Sequence, residues 1–91
     1  MPSPPENIED LKHTSADFLL TDLDTALTFM DVAETSGIEE TVTRNHQNAR
    51  KAYDTVLEFL AKLSLTANDR QAVQAKLTVL KTRLQSAGYQ L

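Results

Sequence analysis

Cysteine and tryptophan are absent from this 91-residue chain, glycine occurs twice, and all three prolines fall within the first five residues. Without cysteine there is neither a disulfide framework nor a thiolate metal site. Beyond Pro5 little interrupts a helix, and Ala, Leu, Lys, Arg, Glu and Gln are plentiful. No apolar run approaches the roughly 18 residues of a membrane span, and the opening MPSPPENIED is acidic rather than basic and then apolar. The expectation is a cytoplasmic, all-α protein that makes no use of a membrane. One modest core should suffice, because a chain of this length buries only about 60% of its unfolded surface.

Positive charge is also scarce overall, with a net charge of −4. That argues against nucleic acid as the partner, since nonspecific binding needs a cationic surface to displace counterions. The distribution is polarised. Residues 14–36 hold Asp17, Asp22, Asp24, Asp31 and Glu34 with no basic residue, whereas residues 66–91 hold Arg70, Lys76, Lys81 and Arg83 against Asp69 alone. An acidic first helix and a basic third helix follow. The basic residues lack interleaved aromatics, so they suit an acidic neighbouring helix better than a nucleic acid.

What the chain does contain is helical periodicity. Ala16, Leu20, Leu23, Leu27 and Met30 recur at 4, 3, 4, 3, predicting a helix over 15–35 capped by Thr14 or Ser15 and ended by Ser36 and Gly37. Ser36 and Glu39 make an S-x-x-E pair that starts a second helix over 38–63, with Ile38, Val42, Ala49, Ala52, Val56, Leu60 and Leu63 on its stripe. Asn45 interrupts that stripe and is expected to fix register or association state. Thr66, followed by Asp69, caps a third helix over 67–87, where Val73, Leu77, Leu80, Leu84 and Ala87 align before Gly88 stops it. The predicted organisation is a proline-rich, acidic leader (1–13), flexible or short-helical, a three-helix up-down-up bundle within 14–88, and a tail of 89–91.

Residues 15–35 also read as three heptads, SADFLLT DLDTALT FMDVAET, each with Asp third and Thr seventh. Carboxylates and hydroxyls are hard-cation ligands, but residues seven apart sit roughly 10 Å apart along a helix, so Asp17, Asp24 and Asp31 cannot share an ion or a proton. The repeat therefore marks a wet face, with Asp31 expected to meet Arg44 and Asp24 to meet Arg50 or Lys51. With no cysteine, two histidines, and serines confined to caps and turns, no nucleophile with its base is present. The chain is read as non-catalytic, without metal or cofactor.

Two candidate surfaces remain. Ile8, Leu11, Phe18, Phe29 and Val32 continue a 3, 4 alternation on a second face of the first helix. An apolar face left outside a monomer's core marks an association surface for itself or a protein partner, unless the leader or the final GYQL folds over it. The alternative is an anionic-ligand or enzyme-accessory site at His46, Arg50 and Tyr53, which share one shoulder of the second helix and could grip a phosphate or carboxylate.

The stretch LDTALTFMDVAET with NARKAYDTVLEFLAKLSLT resembles a family of small bacterial all-helical domains without assigned function, over most of residues 16–84. The second and third helices are also similar to tetratricopeptide or microtubule-interacting-and-transport hairpins, through Ala49, Ala52 and Tyr53 at packing positions. The glycine usual in a tetratricopeptide first helix is missing and no 34-residue repeat recurs. The resemblance implies a protein-binding module and supplies no site residue.

Overall fold

The computed structural model describes residues 8–91, with side chains from residue 15 onward. Three helices, α1 (Ile8–Thr35), α2 (Glu39–Lys62) and α3 (Ala67–Ser86), pack against one another, and no strand occurs among the described residues. α1 is the central element, most extensively packed on α2, while α2 and α3 share the smallest contact. Ring contact between Phe18 and Phe59 and ion pairs joining Asp24 to Lys76 and Asp31 to Arg83 set the directions. α2 runs against α1 and α3 runs with it, giving the up-down-up bundle.

α1 begins at Ile8, so Ser15 lies inside the helix rather than capping it. The remainder of the expected leader, residues 1–7, lies outside the described residues. The buried seam of α1 is Ala16, Leu19, Leu23, Ala26, Met30 and Ala33, spaced 3, 4, 3, 4, 3. Leu20 and Leu27 are only partly buried, packing against the core from its α3 side. Alanines at 26 and 33 rather than leucines on the seam allow the helices to approach closely, and the larger leucines cover the flank. α2 buries Ala49, Tyr53, Val56 and Leu60, and α3 buries Val73, Leu77, Leu80 and Leu84. Each fully buried Leu or Val contributes about 1.5–3 kcal/mol. No charged residue is buried among the described residues, and the core is apolar apart from the Tyr53 hydroxyl.

The ends of the helices show which local signals prevail. Ser36 Oγ accepts from the Ile38 amide at 3.1 Å, and Ile38, the N-cap of α2, makes no side-chain cap bond; the expected Ser36–Glu39 capping box does not form. Ile38 is 65% exposed and drops out of the expected α2 stripe. Thr66 does cap α3, its Oγ1 accepting from the Asp69 amide at 3.2 Å. At the far end of α3, Gly88 takes φ +101°. The Tyr89 amide then donates to the Leu84 carbonyl at 3.1 Å and the Gly88 amide to the Gln85 carbonyl at 3.0 Å, a complete Schellman motif. This turn aims Tyr89 back at the core, against which it packs partly buried.

Candidate functional site

The acidic face of α1 meets α3. Asp24 pairs with Lys76, and Arg83 reaches both Asp31 (2.8 Å) and Glu34 (2.9 Å) while donating to the Leu27 carbonyl. These contacts replace the expected pairs to α2: Arg44 lies on Glu40 (3.5 Å) and Arg50 on Asp54 (3.2 Å), each one turn away on its own helix. Hydrogen bonding to Glu34 and then Asp31 holds the Arg83 guanidinium even more firmly charged than usual. Thr28 and Thr35 donate their hydroxyls to the carbonyls of Asp24 and Asp31, four residues back. The Asp/Thr repeat is thus partly an α1–α3 clasp and partly self-satisfied helix surface. Asn45 also bonds locally, its Nδ2 donating to the Thr41 carbonyl at 2.8 Å rather than across to another helix.

The basic helix is correspondingly occupied. Arg70 donates to the carbonyls of Leu60 and Leu63 (3.4 and 3.5 Å), covering the C-terminal end of α2 where cations are favoured. With Lys76 and Arg83 on α1, Lys81 alone of the four α3 cations makes no hydrogen bond or ion pair among the described residues. No group of three or more His, Asp or Glu side chains converges on a metal-sized site among the described residues.

His46, Arg50 and Tyr53 are not assembled into a common cradle. Tyr53 is buried in the core. Arg50 is held by Asp54 and donates to the Gln90 carbonyl at 3.3 Å. The His46 ring stands edge-to-face with Tyr89, centroids 5.7 Å apart. The GYQL tail therefore closes over this shoulder of α2 through the Gly88 turn. His46 also borders a cavity of about 260 Å³ with Met30, Ala33, Glu34, Arg83, Ser86 and Ala87, and neither Arg50 nor Tyr53 belongs to that lining.

The second face of α1 has a different setting. Phe18 is 60% exposed and meets Phe59, itself 41% exposed, edge-to-face with centroids 6.4 Å apart. Eleven residues on, about three helical turns and roughly 16 Å, Phe29 returns to the same side of α1. Phe29 is half-buried against the core and forms one wall of a shallow depression of about 360 Å³ with Asp22, Asn48, Lys51, Ala52 and Thr55. Val32, 41% exposed, continues the face. Ile8 and Leu11 belong to α1, but their side chains lie outside the described residues.

Phe18, Asp22, Phe29 and Val32 thus line the α1 side of an open α1/α2 face, and Phe59, Thr55, Ala52, Lys51 and Asn48 line the α2 side. The α2 half was not foreseen. Its signal was available as the 4, 3, 4 spacing of Asn48, Ala52, Thr55 and Phe59, a second stripe beside the seam. Asp22 is half-buried and Lys51 exposed on the opposite wall, and neither makes an ion pair or hydrogen bond among the described residues.

No family model matches this chain, and no curated protein or solved structure matches it either.

Proposed function

We propose that this chain is a non-catalytic helical interaction module that self-associates through the α1/α2 face. The observation carrying the proposal is the exposed Phe18–Phe59 ring pair on a face that also holds Phe29 and Val32. Water around two touching aromatic rings is released when another apolar surface covers them, and contiguous apolar patches mark association surfaces. Ile38 in the α1–α2 turn, Val79 on α3 and Leu91 at the chain end are exposed too, and so is Leu57, which lies two residues from both Thr55 and Phe59 and therefore on another side of α2.

A second copy of the chain is the occupant this face fits. One wall supplies a carboxylate, Asp22, and the other an ammonium, Lys51, neither of them paired among the described residues, so the face offers both signs to its own duplicate. A binding role accords with the sequence resemblance to helical-hairpin interaction modules, and the lack of cysteine fits a cytoplasmic setting. The anionic-ligand reading at His46, Arg50 and Tyr53 has less support, since Arg50 and His46 are engaged by Asp54 and the tail.

The test is light scattering on the eluting protein, repeated for Phe18→Asp with Phe59→Asp. A dimeric wild type and a monomeric, still helical variant support the proposal. A wild type that stays monomeric at high concentration overturns it.

A further inference from the structure

Resting on that self-association reading, we infer that Asp22 and Lys51 set how the two copies pair: α1 of one lies on α2 of the other, with the dyad parallel to the helices. Two dyads are compatible with joining these faces. A dyad perpendicular to the helices lays α1 on α1 with the levels reversed, and when it passes through the depression that Asp22 and Lys51 share it brings Asp22 next to its own duplicate and Lys51 next to its own. A dyad parallel to them lays α1 on α2, and each Asp22 then faces Lys51 of the second copy. Charge distinguishes the two, because like charges facing across an interface oppose it while opposite charges fix register.

The antiparallel levels within one chain make the second arrangement geometrically consistent. Phe18 stands level with Phe59, and Asp22, Thr55, Lys51 and Ala52 share the middle depression with Phe29 and Asn48 at its far end. A dyad along the helices preserves these levels, so the Phe18 and Phe59 rings of both copies meet as one four-ring cluster. Asp22 then lies within one turn of the level of Lys51 opposite, a gap that the long lysine side chain spans. Every neighbouring helix in the resulting four-helix centre is antiparallel, with α3 of each copy outside. Asp22, half-buried without a partner among the described residues, gains one in the pair.

The experiment uses the full chain. Asp22→Lys and Lys51→Asp are made separately, and dimerisation is measured for each alone and for their equimolar mixture. Each alone loses about tenfold or more in dimer affinity, and the mixture recovers it, because the first variant then faces the second with opposite signs. The absence of native cysteine makes the orientation directly readable. Thr25→Cys and Ala52→Cys are made in separate chains and treated with a short bismaleimide cross-linker. A 25-to-52 link in the mixture, with little self-linking of Thr25→Cys alone, supports the inference. Self-linking of Thr25→Cys, or single charge variants that dimerise like wild type, overturns the pairing and leaves self-association standing. A monomeric wild type overturns both.

Discussion

Substituting the two glycines one at a time separates a strained turn from an ordinary one. Gly88 sits at φ +101°, whereas Gly37 has no positive φ, and a Cβ added at either meets nothing within 4 Å. Crowding therefore cannot account for a difference between them. In the left-handed region an L-residue costs roughly 1–2 kcal/mol, and Gly88 lies beyond the centre of that region, so the upper value applies. Gly→Ala also restricts the unfolded chain, which stabilises the fold by about 0.4–1 kcal/mol at both sites. Gly88→Ala should thus destabilise by about 1 kcal/mol net, lowering Tm by roughly 4–8 °C, and Gly37→Ala should stabilise by about 0.4–1 kcal/mol. The gap between the two, about 2 kcal/mol, isolates the backbone term. Urea unfolding followed by circular dichroism measures both, and NMR of the His46 ring protons reports whether Tyr89 has left its edge-to-face position. Equal stabilities for the two variants, or an unchanged His46 resonance beside a large loss of stability, would refute the assignment of strain and tail anchoring to Gly88.

Other consequences are narrower. Leu80→Ala, at a fully buried position, should cost about 2–5 kcal/mol in urea unfolding, and a loss below 1 kcal/mol would contradict the core placement. Arg83→Met removes the α1–α3 clasp to Asp31 and Glu34, whose carboxylates are well exposed; about 1 kcal/mol should be lost at low salt and less at 1 M salt. The Glu58 carboxyl is held below its ordinary range by its hydrogen bond to Lys62 and then by the lysine's charge. Because the folded pKa is the lower one, the pair contributes above the ordinary carboxylate range and its contribution disappears as pH falls through that lowered pKa. A carboxyl NMR titration should accordingly show Glu58 titrating at higher pH in Lys62→Met than in wild type.

How far the sequence carried the reading depends on how local each signal was. Val73, Leu77, Leu80 and Leu84, the Thr66 cap and the Gly88 stop all act within one or two turns, and each is found where its spacing places it. The α1 seam shifted because a central helix touches two neighbours and buries a wide arc. Leu20 and Leu27 carry the larger apolar side chains, but Ala26 and Ala33 occupy the close-packed line. The partners of Asp24 and Asp31 depend on the rotation of α3 about α1, which no spacing within α1 encodes. Phe18, Phe29 and Val32 could be grouped by helical geometry, but Phe59 belongs to a different helix and joins them only through the antiparallel packing of α2.

A dilution series of two-dimensional amide NMR spectra reads both whether copies associate and where. Concentration-dependent shifts should gather on Phe18, Asp22, Phe29, Lys51, Thr55 and Phe59, with the outer face of α3 around Val79 unchanged. Spectra independent of concentration, or shifts centred on α3, would contradict self-association through the α1/α2 face.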